Sequence, residues 1–530
     1  MPHVTILGGG ISGLSLAWFL RQAHKLKISS KKIIQNEQQI VNNNKSTSLK
    51  ISIIESTNRT GGWVRTERIG GHILERGPRG FRPKGNGIET LKLIESLGLQ
   101  GATIAPSTTS NNRFVYHENQ LQPLPSSLKD IFLNPPPVME GVVATVIKEP
   151  FKPKNIELKD ESIYDFISRR FSKKMATTLI DAMISGIYSG DIKKLSVRSC
   201  SPLNKLWEYE QSHGSIVKGM FMPSSSSATT TTNNSNNDDD DGPLSTFVQK
   251  MQKAPQVSFI KGMEHLTETL TKKLASNADT IIYTDYECVQ IINESNDEGI
   301  EIHLQDANDE KEMKIINNVD HIFSTIPANK LSNILPSSSL FDYAKELLLN
   351  KMKYNVNVAV VNLVYNKSNL VGKDGFGYLV PSMDKEGILG VAWDSSIFPA
   401  QIDAKTMQDH DLHRFNNTSR VTVMIGGAKN PDVVTKSNEE LIQIAIEKVT
   451  KHLNLDKNVT PDPELKVAGI MYDCIPQYYV GHYDHVEKLK ANLQEHLPEL
   501  TFIGTSFYGV GIADCIANAK MTAEEYVNKM

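Results

Sequence analysis

The chain has 530 residues, 39% hydrophobic and 22% charged, which allows two or three domains and a large buried core. A formal net charge of −3 argues against a nucleic-acid binder, and four scattered cysteines (Cys200, Cys288, Cys474, Cys515) with no Cys-x-x-Cys pair argue against a zinc site or disulfide framework and read as reduced thiols. No apolar run of about 18 residues occurs, so no membrane-spanning helix is expected, and Met1 leads almost directly into a strand-like run rather than a signal peptide.

In chain order, Val4–Leu7 predicts a strand, Gly8-Gly9-Gly10-Ile11-Ser12-Gly13 a glycine-rich turn, Leu14–Arg21 a helix, and Ile51–Ile54 a second strand ending in Glu55. This is the order of a dinucleotide-binding βαβ unit. Gly8 permits the tight turn, Gly10 lets backbone approach a pyrophosphate, and Gly13 lets helix and strand pack closely. The helix start would offer free N–H groups and positive dipole to phosphates, and Glu55 would accept from a ribose hydroxyl. That acid normally follows about 20 residues after the glycines, whereas here it lies 42 beyond Gly13. The polar stretch Lys25–Lys50 therefore reads as a surface insertion, which the slow growth of loop-closure entropy tolerates.

Residues of about 85–220 read as mainly helical, for example Ser162–Phe171 and Met175–Ile184. The tract Ser224–Asp241 is built from Ser, Thr, Asn and Asp, cannot bury apolar area and is expected to be disordered. Strand–helix alternation returns with Val257–Lys261, Met263–Ala275, Ile281–Thr284 and Ile300–Leu304. Val356–Val364, Ile388–Trp393 and Val421–Ile425 predict a further sheet, followed by a helix over Asn438–His452. His482 and His485 read as surface histidines in a polar loop. The last segment, Thr501–Met530, predicts a strand, the turn Gly509-Val510-Gly511 and a helix.

A second motif runs from Glu55 through Arg59, Gly61, Gly62 and Trp63 to Arg65. It resembles the extended dinucleotide signature of the flavin amine oxidase superfamily, E-x3-R-x-G-G-x-x-R. Further segments are Gly77-Pro78-Arg79-Gly80, Leu195–Cys200 preceded by Ser185–Asp191, Gly375–Pro381 with Gly390–Asp394, Cys474–Tyr478 with Gly481-His482, and Gly509–Ile516. Their order and spacing resemble the protoporphyrinogen oxidase family over almost the whole chain.

The resemblance implies an α/β fold with added helices: a discontinuous Rossmann-like FAD-binding domain (1–105, 245–330 and 466–530), a mainly helical membrane-associating domain (106–244) and an inserted mixed-sheet substrate domain (331–465). It implies FAD contacts from Gly8, Gly9, Gly10, Ile11, Ser12, Gly13, Glu55, Ser56, Trp63, Gly77, Pro78, Arg79, Gly80, Cys288, Ile470, Gly509, Val510 and Gly511. Cys288 stands where the family usually has Val, and Ala513 where it often has Asn. Arg113, in Asn112-Arg113-Phe114, is implied to pair with a substrate propionate; outside the resemblance it reads as a surface salt bridge. Phe376, Leu379, Ala392 and Met424 are implied to sandwich the tetrapyrrole, and Gly186 to let backbone approach a pyrrole; Phe376, Leu379 and Met424 read equally as core.

The implied reaction is oxygen-dependent, six-electron oxidation of protoporphyrinogen IX by hydride transfer to FAD, releasing hydrogen peroxide, with no side chain required as a strong base. Alternatives are a coproporphyrinogen oxidase or amine oxidase of the same fold, or a non-catalytic protein like the GDP-dissociation inhibitors. Peripheral attachment to the mitochondrial inner membrane on its intermembrane-space side, a homodimer and handover to ferrochelatase are further implications. The membrane face would lie in about residues 120–222, whose apolar helices read equally as domain core.

Overall fold

The computed structural model describes residues 1–36, 48–107, 110, 112–125, 135–155, 157–222, 243–293, 299–309, 311–403 and 417–530. The tract 224–241 and the Gln- and Asn-rich part of the first insertion lie outside the described residues.

A five-stranded parallel sheet carries the N-terminus. Its order is Leu500–Phe502, His321–Ser324, His3–Leu7, Lys50–Ile54 and Thr280–Tyr283. Every residue of His3–Leu7 is buried, as expected where helices cover both faces of a parallel sheet. Strands from the first, middle and last parts of the chain thus alternate across one sheet, which makes the nucleotide-type domain discontinuous.

The first helix runs Ile11–Asn36, well beyond the expected Arg21. Much of the polar stretch read as an insertion is therefore helix. Lys, Leu, Ile and Gln are competent helix formers and no Gly or Pro interrupts them, so polarity was a poor guide to a loop. This helix packs along the C-terminal helix Ile512–Lys529, and Lys27 Nζ donates to the Val527 and Asn528 carbonyls at its end.

A seven-stranded sheet forms the second layer, ordered Leu465–Pro476, Asn355–Tyr365, Ser419–Gly426, Ile388–Ala392, Gly377–Leu379, Arg113–His117 and Gln120–Leu124. The helix Asn438–His452 has the expected bounds and opens with a Ser437/Glu440 capping box. Two expected domain borders cut across this sheet. Residues 113–124 fall in it rather than in a helical region, and so does Leu465–Pro476. The Arg113–His117 strand pairs in parallel with Gly377–Leu379, far along the chain, a partner that local periodicity cannot reveal.

Short helices fill residues 142–221, and Ser162, Ser172 and Ser215 cap three of them through side-chain oxygens. The segment Ala176–Ile180 is a π-turn that leads into the helix Asp181–Tyr188. The Asp181 carboxylate accepts from the Ser382 N–H (2.6 Å) and hydroxyl (2.7 Å), tying this helix to the seven-stranded sheet.

Candidate functional site

The glycine turn follows the first strand as its chemistry requires. Gly8 has φ +102°, and a Cβ there would lie 2.5 Å from Thr325 Oγ1. A Cβ on Gly13 would lie 2.0 Å from the Gly8 carbonyl oxygen, so helix and turn approach only because it is absent. Glu55 is buried beside the turn. One carboxylate oxygen accepts from the Gly9 N–H (2.9 Å), the other from the Thr57 N–H (3.0 Å) and hydroxyl (2.8 Å).

The second motif folds back onto the first. Gly61 N–H donates to the Gly9 carbonyl (2.8 Å), and Gly62 sits at φ +56° against Gly10. Arg59 donates to the Gly62 and Thr60 carbonyls and pairs with Glu264 at 3.3 Å. Its role is to buttress this loop. The Trp63 carbonyl lies where a Cβ on Gly77 would sit, which fixes the Gly77–Gly80 loop against the Gly-Gly-Trp turn.

Arg79 projects from that loop toward the seven-stranded sheet. Its Nε donates to Asp394 (2.9 Å) and Nη1 lies 4.0 Å from Met424 Sδ, while Nη2 is buried without a hydrogen-bond partner. Asp394 also accepts from Thr422 Oγ1 at 2.5 Å. At the far end of the chain, Gly509 has φ +127° and Gly511 precedes the C-terminal helix, so the first free N–H groups of that helix face the same space. Asp514, in its first turn, accepts from Asn86 Nδ2 (2.8 Å). Burial raises the Asp514 carboxyl above the usual range, against the pull of Asn86 and the Gly511 N–H.

One cavity of about 2230 Å³ joins these parts. Among the expected cofactor residues it is lined by Gly8, Gly10, Ile11, Ser12, Glu55, Ser56, Trp63, Gly77, Pro78, Arg79, Gly80, Cys288, Gly509, Val510 and Gly511. Gly9 and Gly13 shape the turn from behind, and Ile470 does not reach the cavity. Side chains alternate along Leu465–Pro476, so Ile470 packs into the core under the opposite face while its neighbour Met471 lines the cavity.

The expected substrate residues Arg113, Gly186, Phe376, Leu379, Ala392 and Met424 line the same cavity. Arg113 is exposed at the start of its strand, its guanidinium 6.0 Å from the Phe376 ring centre. No carboxylate among the described residues pairs with it. A Cβ on Gly186 would lie 2.7 Å from Leu379 Cδ2, so the helical region and the sheet touch there without a gap.

Residue-by-residue reading missed several lining groups, Leu179 and Ile180 of the π-turn, Tyr188 and Met471, and also Asp394, which holds the lining Arg79. Asp394 closes the Gly390–Asp394 segment and was visible as a motif; the π-turn leaves no sequence signal. The histidine expectation is corrected. His482 is buried at the start of the helix His482–His496, its ring stacked on Tyr478, and His485 is half-buried on the next turn of that helix. The apolar residues Val486, Leu489 and Leu493 recur on one side of this helix, a pattern that the polar residues between them disguised. The four cysteines are buried and unpaired, and burial pushes the Cys288 thiol up to about 12, leaving it neutral.

The family described as flavin containing amine oxidoreductase matches residues 11–526. The chain belongs to that family. Within the flavin-containing amine oxidoreductases it falls among the protoporphyrinogen oxidases. It is 30% identical over 531 residues to the protoporphyrinogen oxidase of Homo sapiens, covering 98% of this chain and 97% of that protein. It is also 24% identical over 546 residues to the coproporphyrinogen III oxidase of Staphylococcus aureus, covering 99% of each. A crystal structure of a putative protoporphyrinogen oxidase from Exiguobacterium superposes with a TM-score of 0.72 at 20% identity, covering 100% of this chain and 99% of that one, and so shares the fold.

As a flavin-containing amine oxidoreductase, the protein is a flavin-dependent oxidoreductase. Its residues fit the cofactor. Gly10 and Gly62 leave a side-chain-free cradle, Gly511 opens a helix N-terminus toward it, and the partnerless Arg79 Nη2 supplies a donor at the junction with the apolar end.

Proposed function

We propose that the protein is an FAD-dependent porphyrinogen oxidase that converts protoporphyrinogen IX to protoporphyrin IX, with dioxygen as electron acceptor. The observation that carries this reading is the continuity of the cavity. A glycine-built nucleotide cradle opens without a break into an apolar slot that ends at Arg113, which pairs with no carboxylate among the described residues. Its volume is about 2230 Å³, roughly twice the upper end of an ordinary ligand pocket, which suits a dinucleotide and a tetrapyrrole together. The relatives' names support the substrate class.

Each group then has a task. Arg113 pairs with a propionate through its planar fork. Phe376, Leu379, Ala392 and Met424 flank the macrocycle, and Gly186 admits Leu379 close to the helical wall. Asp394 holds Arg79 so that its free N–H faces the junction of the two ends. When bound, the flavin supplies the hydride acceptor that no side chain can provide. Six hydrogens leave each porphyrinogen as three hydride–proton pairs, and three dioxygen molecules take them up as three of hydrogen peroxide. The protons leave pyrrole nitrogens to water, so no strong side-chain base is needed.

The same reading puts the protein on a membrane, as the family resemblance implies for the inner mitochondrial membrane. No helix among the described residues is long and apolar enough to cross one. Attachment is instead to the surface, through Ile147, Phe151, Met220, Phe221 and Met222, exposed on packed neighbouring segments of the helical region beside Lys148 and Lys218. Phe151 and Phe221 are 87% and 84% exposed, unusual for aromatic residues without a partner phase.

The test compares protoporphyrinogen IX and coproporphyrinogen III as substrates for flavin-loaded protein in air, followed by porphyrin fluorescence. Faster oxidation of protoporphyrinogen is expected. A preference for coproporphyrinogen would move the protein to the other branch of its relatives, and no rate above the protein-free one would end the proposal.

A further inference from the structure

The segment Cys474–Tyr478 with Gly481-His482 stands out in the sequence and lines the same cavity through Cys474, Ile475, Pro476, Tyr478 and His482, yet no contact to nucleotide or substrate assigned above uses it. In the structure it meets the loop Thr505–Gly509, which leads into the C-terminal flavin-facing turn. Tyr478 is 1% and His482 4% exposed. Their rings stack with centres 4.1 Å apart at 15°. The Tyr478 hydroxyl donates to the Thr505 carbonyl and accepts from the Gly509 N–H at 2.8 Å. His482 Nε2 lies 3.2 Å from the Phe507 carbonyl and donates to it.

One stacked pair therefore holds three backbone groups of a single loop. The loop needs holding. Gly509 occupies a left-handed conformation, and a Cβ there would meet Asp514 at 2.7 Å, so the turn has no side chain of its own to brace it. The pair itself is anchored from the other side. The Ser196 N–H donates to the Tyr478 carbonyl (2.8 Å), Gln477 Nε2 to the Tyr188 carbonyl (2.8 Å), and the Gly481 N–H to Asp160 (2.8 Å). All three anchors come from the helical region.

We infer that Tyr478 and His482 are positioning residues, a clamp that fixes the Gly509–Gly511 turn against the flavin and references it to the helical region. This rests on the flavin-binding reading of the cavity. The clamp acts through hydrogen bonds from a packed ring pair, so it is lost when the polar atoms are removed even if the rings remain. Burial also pushes the His482 imidazole down to about 4, which keeps the ring neutral and its stacking undisturbed across the physiological range.

Tyr478→Phe and His482→Phe keep a stacked pair of rings and delete only the contacts to the loop. The experiment measures the FAD dissociation constant, the visible circular dichroism of bound FAD and the melting temperature of the flavin-free protein, in parent and both variants. Tyr478→Phe should loosen FAD about tenfold and His482→Phe about threefold, each with a changed flavin dichroism and a flavin-free melting temperature close to the parent's. FAD affinity and dichroism equal to the parent's would overturn the inference, as would a lower melting temperature with an unchanged flavin spectrum. If Tyr478→Phe does not fold, His482→Phe decides by the same criteria. A parent that binds no flavin would remove the cofactor reading first, and the clamp with it.

Discussion

Arg113 is a cation at a cavity mouth with an aromatic face nearby and no carboxylate among its described neighbours. A charge-assisted pair contributes about 1.5–3 kcal/mol, so Arg113→Ala should raise the KM for the porphyrinogen by roughly ten- to a hundredfold while the bound flavin stays at parental content. Loss of flavin in that variant would take Arg113 out of the substrate pocket. Glu75 offers a second test at this scale. It is 4% exposed, and burial lifts its carboxyl to about 7, against the pull of the Met263 N–H and the Thr66 hydroxyl. A folded pKa above the unfolded value means stability that is present below about 4.5 and is lost as pH rises through about 7. Relative to Glu75→Gln, the parent should therefore lose on the order of 3 kcal/mol across that window. Denaturant melts of both proteins at about pH 5 and about pH 8 check this; a difference independent of pH would show that Glu75 stays ionised throughout. Sequence reading placed many of the cavity-lining residues because their chemistry is local: a glycine turn, an acid after a strand, an arginine beside an aromatic. It misplaced Ile470 because a one-residue choice on a strand inverts the face, and His482 because the polar residues between Val486, Leu489 and Leu493 hid the buried side of its helix.

At the scale of elements, the helical region is fastened by buried charge. Glu149 and Arg170 are both fully buried and paired, and Glu149 also accepts from the Ser215 hydroxyl (2.6 Å) and the Ile216 and Val217 N–H groups (2.9 and 3.1 Å). Burial alone would raise its carboxyl, yet Ser215, Arg170 and these N–H groups together hold it below the usual range. Glu149→Ala leaves the buried Arg170 guanidinium only the longer pair to Glu210 (3.3 Å) and takes the acceptor from the first two N–H groups of the helix Ile216–Phe221, which should cost about 3 kcal/mol in a denaturant titration; a loss under about 1 kcal/mol would mean that the pair is not the fastening. Elements with strong periodicity and clear caps were legible, as in Asn438–His452 with its Ser437/Glu440 box. Elements that depend on remote partners were not. Arg113–His117 forms a local hairpin with Gln120–Leu124, but it joins the seven-stranded sheet only through the remote Gly377–Leu379, and the first helix continues past Arg21 because the C-terminal helix receives it.

For the whole molecule, three regions far apart in the chain converge on one cavity, and the helical region presents an apolar face outward. Replacing Phe151 and Phe221 by Glu should abolish most co-sedimentation with anionic vesicles while leaving oxidation of detergent-dispersed substrate near the parental rate; unchanged sedimentation would assign membrane contact elsewhere. The discontinuous domain was expected from the family resemblance; His3–Leu7, Lys50–Ile54 and Thr280–Tyr283 overlap apolar runs read in the sequence, whereas the polar-flanked strand His321–Ser324 carried no such signal. The sheet that crosses the expected borders at 106 and 466 was not, since its order is set by non-local pairing. The central claim is that this cavity couples a porphyrinogen to a flavin, and the most direct measurement is anaerobic mixing of FAD-loaded protein with protoporphyrinogen IX. Bleaching of the flavin colour with matching growth of porphyrin absorbance, and return of the colour on admitting air, is the expected result. A flavin that stays oxidised while the porphyrinogen persists would contradict it.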